Sequence, residues 1–374
     1  MSLTIMHEPL SISSYPSNVE CCHHHHHHFD EKTDLSAPME LRHPSASFVK
    51  VPLPSVTRNQ RGSITRAARL ARFAQTETQV ESVHPTLPFL NELFVSPHPD
   101  DICYSAFGTA SQGAPKENKG ESSSSTNGRL IVTVFSKSRC ANGQLGEKLG
   151  QNVGDITHIR RQEDEDFAKS MGCQLIQMGL GDSSARDEFS RREELQTQSK
   201  RSQSQATKAH PMYPKVYASL RDTIRWAVEC RSAIYLPLGI GCHIDHMMTR
   251  VATESILEEI RLENLVGVLP SRVTYYEDLP YAFYQSDEVI EKMANTVIVN
   301  KAKAERLVPL DEELWERKCK AVRGYATQMK PTIIPCLQTR ATKLAANETS
   351  TDRNVPLLNE RTWVLQPGQW ILFE

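Results

Sequence analysis

From residue 88 onward, short apolar runs alternate with stretches whose apolar residues recur every three or four positions, and this alternation constrains the fold most. "NELFVSP", "RLIVTVFS", "CQLIQMGL", "SAIYLPLG" and "RVTYYEDLP" have the length and the β-branched or aromatic content of strands. Between them "ITHIRRQEDEDFAKSMG", "YPKVYASLRDTIRWAVEC" and "HMMTRVATESILEEIRLE" carry helical spacing. Such repetition predicts βαβ units. The expected fold is α/β and Rossmann-like, a mostly parallel sheet with helices on both faces, spanning residues 88–374.

Residues 1–87 lack any sustained period. They mix Ser, Pro and charge with few aromatics, which predicts a mostly disordered leader containing one short basic amphipathic patch, "SITRAARLARFAQ". The histidine run in "CCHHHHHH" reads as a tag or a low-complexity tract and is set aside from site reasoning. Three polar insertions interrupt the domain, at 111–128, 183–210 and 337–355, and the second is expected to form a mobile flap. After the third, "RTWVLQPGQWILFE" turns apolar, so the C-terminal end is expected to pack back on the domain. "NET" at 347–349 matches the glycosylation triplet and is read as chance.

Composition excludes several function classes. A net charge of −2 gives no electrostatic reason to expect a nucleic-acid partner. Nine cysteines, an odd number without CxxC spacing, fit a reducing compartment rather than a disulfide framework. No run approaches the roughly 20 apolar residues of a membrane helix, and the N-terminus lacks the build of a secretory signal. The expectation is a cytoplasmic protein without an integral membrane segment, whose basic leader patch still permits peripheral membrane contact. Nothing in the sequence specifies an oligomeric state.

Ligands of parallel sheets bind outside the carboxyl ends of the strands. "VSPHPDDI" places His98, Pro99, Asp100 and Asp101 at that rim after one strand, and "YLPLGIGCHIDHMMTR" places His243, Asp245 and His246 there after another. Three imidazoles and three carboxylates thus meet at one edge. That inventory suits a catalytic zinc, which takes three His or carboxylate ligands and lowers the pKa of a bound water to about 7. A neighbouring carboxylate outside the ligand set must then take the water's proton. A cation also explains why two adjacent aspartates tolerate each other.

Taken singly, each motif has a plainer reading. "HPDD" alone is an Asp-rich turn, and "HIDH" alone is a helix cap with surface histidines. Their placement on one edge of one sheet favours the metal. Cys103 is read as a packed small residue and Cys242 as turned inward, while His84, His158 and His210 are given surface or capping roles. Tyr275, Tyr276 and Tyr281 either line a pocket or sit as half-buried strand residues. For Glu277 and Asp278, solvation at a strand end is favoured over a role behind the metal ligands or on the substrate.

"PHPDD" followed downstream by "HIDH" resembles the LmbE-like/PIG-L family of zinc-dependent N-acetylglucosaminyl deacetylases. "IRRQEDEDFAKSMG", "LGDSS", "YYEDLPYA" and "CKAVRGYATQM" are similar to further family segments, so the resemblance covers about 88–330. It implies zinc on His98, Asp101 and His246, with iron(II) suited to the same donors. It also implies Asp100 as general base, and a protonated His243, held by Asp245, as oxyanion stabiliser. Arg160 and Asp182 would then bind sugar hydroxyls on a small-molecule amino-sugar conjugate. Two departures alter the pocket wall: Ile102 with "SAFGTA" replaces the usual Glu and glycine pair, and Gly241 replaces a frequent tyrosine. The expected function is removal of an N-acetyl group from an N-acetylglucosamine-containing conjugate. The alternatives are an amidase or deacetylase for another specialised metabolite or thiol conjugate, and a non-catalytic sugar-binding homologue.

Overall fold

In the computed structural model the described residues are 89–114, 128–150, 152–188, 192–263, 270–298, 303–346 and 358–365. The leader, its histidine run, His84, most of the 111–128 insertion, the "NET" triplet and residues 366–374 lie outside them. Contacts divide the chain at Leu87, so that Pro88–Glu374 is a compact unit of its own.

The first half reads β1 (Glu92–Ser96), α1 (Asp101–Ser105), α2 (Phe107–Gln112), β2 (Arg129–Thr133), α3 (Gly143–Leu149), α4 (Val153–Ser170) and β3 (Gln174–Gln177). It continues with α5 (Lys200–Lys208), α6 (Tyr213–Glu229), β4 (Ala233–Pro237), α7 (Ile244–Glu263), β5 (Arg272–Tyr276) and α8 (Asp287–Val297). Last come β6 (Lys303–Leu310), α9 (Glu312–Gly324), α10 (Ile333–Ala346) and β7 (Leu358–Leu365). All five expected strands and all three expected helices are present. The β6–β7 pair is an addition: it extends the sheet antiparallel from β5, and β7 contains the apolar "RTWVL".

The seven strands run in the order β3-β2-β1-β4-β5-β7-β6, and β3 through β5 are parallel. β2 and β4 are buried at every position, as strands covered by helices on both faces must be. Edge strand β3 instead alternates exposed and half-buried residues. Between β1 and β4 the winding direction reverses, because β1 leads to β2 and β3 on one side while β4 leads to β5 on the other. A crevice opens at such a switch point, outside the carboxyl ends of the two strands. The two histidine–aspartate motifs follow these very strands.

Two of the expected insertions differ from their description. The 183–210 segment holds helix α5, in which Gln203 and Thr207 are fully buried, so it is no structureless flap. Gln203 is satisfied by the Leu195 carbonyl and Arg250, and Thr207 by the Gln203 carbonyl, polar contacts that a hydrophobic pattern cannot register. The segment expected from residue 337 begins as the second half of α10, with Leu337, Ala341 and Leu344 buried. Among the described residues no helix is long and apolar enough to cross a membrane.

Candidate metal centre

The chain leaves β1 at Ser96 and enters α1 at Asp101, which puts His98, Asp100 and Asp101 in one tight turn. The His98 backbone N–H donates to Asp101 Oδ2 at 2.7 Å, folding the second aspartate back over the turn. After β4 the chain turns through Gly239 (φ 86°) and Gly241 (φ 76°), left-handed backbone that favours glycine. His243 follows immediately, and α7 carries Asp245 and His246 in its first turn.

The centre is almost closed to solvent: His98 is 8% exposed, Asp101 3%, His243 6%, and Asp245 and His246 are fully buried. Ligand atoms of His98, His243 and His246 all lie within 4.8 Å of one another. The outer hydrogen bonds decide which nitrogens face inward. His98 Nε2 stands 3.0 Å from Asp245 Oδ2, so in the neutral ring, the form that can ligate a metal, Nε2 carries the proton and donates while the Nδ1 lone pair lies 3.3 Å from Asp101 Oδ2. His246 Nδ1 donates to Asp278 Oδ1 at 2.6 Å, leaving Nε2 3.4 Å from Asp101 Oδ2. That buried Nε2 has no hydrogen-bond partner. His98 Nδ1, Asp101 Oδ2 and His246 Nε2 thus converge as three ligand atoms, with each imidazole backed by a carboxylate on its outer nitrogen, the arrangement that holds histidine ligands of a metal. The residues fit a divalent cation.

His243 is differently placed. Its Nδ1 accepts from the Asp245 backbone N–H at 3.3 Å, so the proton of a neutral ring sits on Nε2. Burial and then the His98 and His246 imidazoles push its pKa well below the ordinary value, outweighing Asp245 and Asp101. In the metal-free protein this favours the neutral ring, with Nε2–H as a hydrogen-bond donor. Asp245 is also not its carboxylate partner: both Asp245 oxygens are engaged elsewhere, on His98, the Ser183 N–H (2.9 Å) and Arg186 Nη2 (2.7 Å).

Asp100 faces Arg160, whose Nη2 donates to Oδ1 at 3.0 Å. Burial raises the Asp100 carboxyl, opposed by Arg160 and supported by the adjacent Asp101. Asp101 itself goes the other way: burial alone would raise it, but His246 and His98 hold it down. In the metal-free protein His98 reaches about 10, because hydrogen bonds and charge from Asp101 and Asp245 overcome the opposing effect of burial. The cluster is thus built to hold positive charge at its middle. Arg160 also donates to Ser138 Oγ at 2.8 Å and lies 3.6 Å from Asp182, so both residues are engaged within the protein beside Asp100.

Asp278 is the residue that sequence reasoning ranked too low. Far from being solvated at a strand end, it is fully buried, accepts the Gly239 and Ile240 N–H groups at 2.8 and 3.0 Å, and holds His246. Its signal was position alone, two residues beyond β5 on the same rim as both motifs. Glu277 is also buried, bonded to Arg340 and Arg361. Tyr275 and Tyr276 are packed inside, bonded to Glu254 and the Val95 carbonyl. Tyr281 lies against the centre, its ring 5.4 Å from His243 and 5.2 Å from His246. Cys103 and Cys242 are fully buried, His158 is exposed, and His210 accepts the Met212 N–H.

Fold and site together define an α/β protein with a buried His/Asp donor set, able to hold a metal ion, at the switch point of its sheet. Residues 93–257, which span both motifs, match the family described as "PIG-L: GlcNAc-PI de-N-acetylase", and the chain carries a PIG-L (LmbE-like) domain. Among curated proteins, 2'-N-acetylparomamine deacetylase of Streptomyces fradiae is 27% identical over 192 residues, 51% of this chain and 57% of that protein. The match thus spans little more than half of the relative's length. Among solved structures, the zinc-inhibited form of a teicoplanin deacetylase has 20% identity and a TM-score of 0.48, covering 74% of this chain and 99% of that one. N,N'-diacetylchitobiose deacetylase from Pyrococcus horikoshii has 16% identity and a TM-score of 0.46, covering 83% and 95%.

Proposed function

We propose that the chain is a metal-dependent N-deacetylase that hydrolyses the N-acetyl group of an N-acetylglucosamine-containing or closely related amino-sugar conjugate. The observation that carries this is the convergence of His98 Nδ1, Asp101 Oδ2 and His246 Nε2 beside a separate, arginine-held Asp100. A divalent cation held by those three donors, zinc foremost and iron(II) by the same donor types, supplies Lewis acidity to a water and to the acyl oxygen.

The remaining chemistry belongs to the chain. Asp100 takes a proton as the water oxygen bonds to the acyl carbon, and its raised carboxyl is better matched to that task than an exposed aspartate. His243 donates its Nε2 proton in a hydrogen bond to the oxygen on which negative charge develops. When the C–N bond breaks, Asp100 returns the proton to the leaving nitrogen, so acetate and a free amine depart. Tyr281, its ring tilted against His243 and edge-on to His246, walls the centre, and Arg160 and Asp182 remain the proposed partners of a sugar hydroxyl entering beside Asp100. The Streptomyces relative, named for deacetylating 2'-N-acetylparomamine, supports an amino-sugar substrate.

The test is release of free amine from a panel of N-acetylglucosamine and aminoglycoside conjugates by zinc-loaded protein. The Asp100→Asn variant should bind zinc as tightly as the wild type but lose about 10²–10⁴-fold in kcat. Zinc-loaded protein that turns over no amide in the panel would refute the amino-sugar assignment. Full activity in the Asn variant would refute Asp100 as the base.

A further inference from the structure

The turn after β3 grips the centre at two points. Asp182 meets Arg160, which holds Asp100. Four residues later Arg186 donates from Nη2 to Asp245 Oδ1 at 2.7 Å, while the Ser183 N–H reaches Asp245 Oδ2 at 2.9 Å. The same Oδ2 faces His98 Nε2. Arg186 is itself fixed: Nε donates to Glu188 Oε2 at 2.7 Å, Nη1 donates to the Gly181 carbonyl, and the guanidinium lies 5.2 Å over the Phe135 ring. Glu188 is in turn 3.3 Å from His210 Nε2.

A buried carboxylate that orients a histidine does so only if its own plane is fixed. Asp245 is fully buried, so water cannot complete it, and Arg186 is the side chain that occupies Oδ1. A guanidinium suits this post, since it stays charged and offers several donors in one plane. We propose that Arg186 is a positioning residue for the metal centre: it locks Asp245, and Asp245 fixes the ring plane and tautomer of His98 so that Nδ1 faces Asp101. This rests on reading the cluster as a metal centre. The 183–210 segment thereby becomes part of the site's framework.

A merely structural role, in which Arg186 staples the 181–188 turn, predicts something else, and Glu188→Gln separates the two because it loosens the staple without touching Asp245. Two readouts apply: zinc affinity by competition with a chromophoric chelator, and ring ¹⁵N shifts of His98 in the metal-free protein. Arg186→Ala should weaken zinc binding about 10–100-fold, the usual cost of losing an outer partner of a metal ligand, and should shift the His98 ring signals. Arg186→Lys should recover part of the loss, and Glu188→Gln should cost less than Arg186→Ala. Asp245→Asn should match the Arg186→Ala loss, and the double variant should be no worse than Asp245→Asn alone. Should Arg186→Ala fold poorly, Arg186→Gln keeps the bulk, removes the charge and faces the same readouts. Unchanged zinc affinity and unchanged His98 signals overturn the proposal, as does a Glu188→Gln loss as large as that of Arg186→Ala. A wild type that binds no zinc, yet whose His98 signals move in Arg186→Ala, upholds the clamp and refutes the metal-centre reading instead.

Discussion

Each imidazole in the centre is assigned its task by what its other nitrogen touches. Asp245 and Asp278 take the outer N–H of His98 and His246, leaving two lone pairs toward Asp101, whereas a backbone N–H takes His243 Nδ1 and leaves an N–H donor. Losing Asp278 should therefore act through His246: Asp278→Ala is expected to weaken zinc binding about 10–100-fold, read by chelator competition, and binding equal to wild type would dissociate Asp278 from the metal. The glycine that departs from the family pattern has its own reason. A Cβ on Gly241 would lie 3.1 Å from Tyr281 Cβ, on backbone with φ 76°. Gly241→Ala should cost at least about 1–2 kcal/mol for the left-handed conformation, seen as a lower denaturation midpoint, and should raise KM as Tyr281 is pushed off the histidines. A KM equal to wild type would separate Tyr281 from substrate. The donor residues were legible because they are sequence-local and chemically unusual. Their outer partners were not, since Asp278 and Arg186 reach them through tertiary contacts without a motif.

At the scale of elements, apolar alternation identified β1 through β5 because parallel strands buried on both faces must be continuous apolar runs. It could not find α5, whose docking is polar. Gln203, fully buried, donates from Nε2 to the Leu195 carbonyl at 3.1 Å and accepts from Arg250 Nη2 at 2.9 Å. Arg250, also fully buried on α7, lies 3.6 Å from Glu254, which Tyr275 and Lys200 share. Helix α4 shows the same blindness: its inward face, spaced at three and four residues, includes Arg160, Glu163 and Asp164, with Glu163 accepting the Thr327 N–H and hydroxyl. Only the apolar members of that face are visible to a hydrophobic period. Gln203→Ala strips a buried guanidinium of one acceptor, and a loss of about 1–3 kcal/mol is expected in chemical denaturation. A variant as stable as wild type would mean that α5 is held by its backbone contacts alone.

For the molecule as a whole, the polar layer between β2 and α4 sets a pH dependence whose sign runs against the usual behaviour of carboxylates. Asp164 is fully buried; Thr133 Oγ1 donates to Oδ2 at 2.7 Å and Gln177 Nε2 at 3.3 Å, while Oδ1 has no partner. Burial pushes its pKa up to about 7 despite those two donors, from an ordinary 3.8. Between about pH 4 and 7 the folded protein therefore keeps a proton that the unfolded chain releases. Stability linked to this group is fully present below pH 4 and is lost as pH rises through 7. At 1.36 kcal/mol per pH unit the swing is on the order of 4 kcal/mol. Asp287, held down to about 2 by Lys343 and Arg340 against the opposing effect of burial, contributes with the opposite sign and only below pH 4, so the two windows do not overlap. Asp164→Asn keeps an acceptor for Thr133 and cannot ionise. Denaturation of wild type and Asp164→Asn at pH 4.5, 6 and 7.5 should show the wild type losing stability relative to the variant at each step. Parallel curves across that range would mean that Asp164 is already ionised in the fold, with water reaching Oδ1.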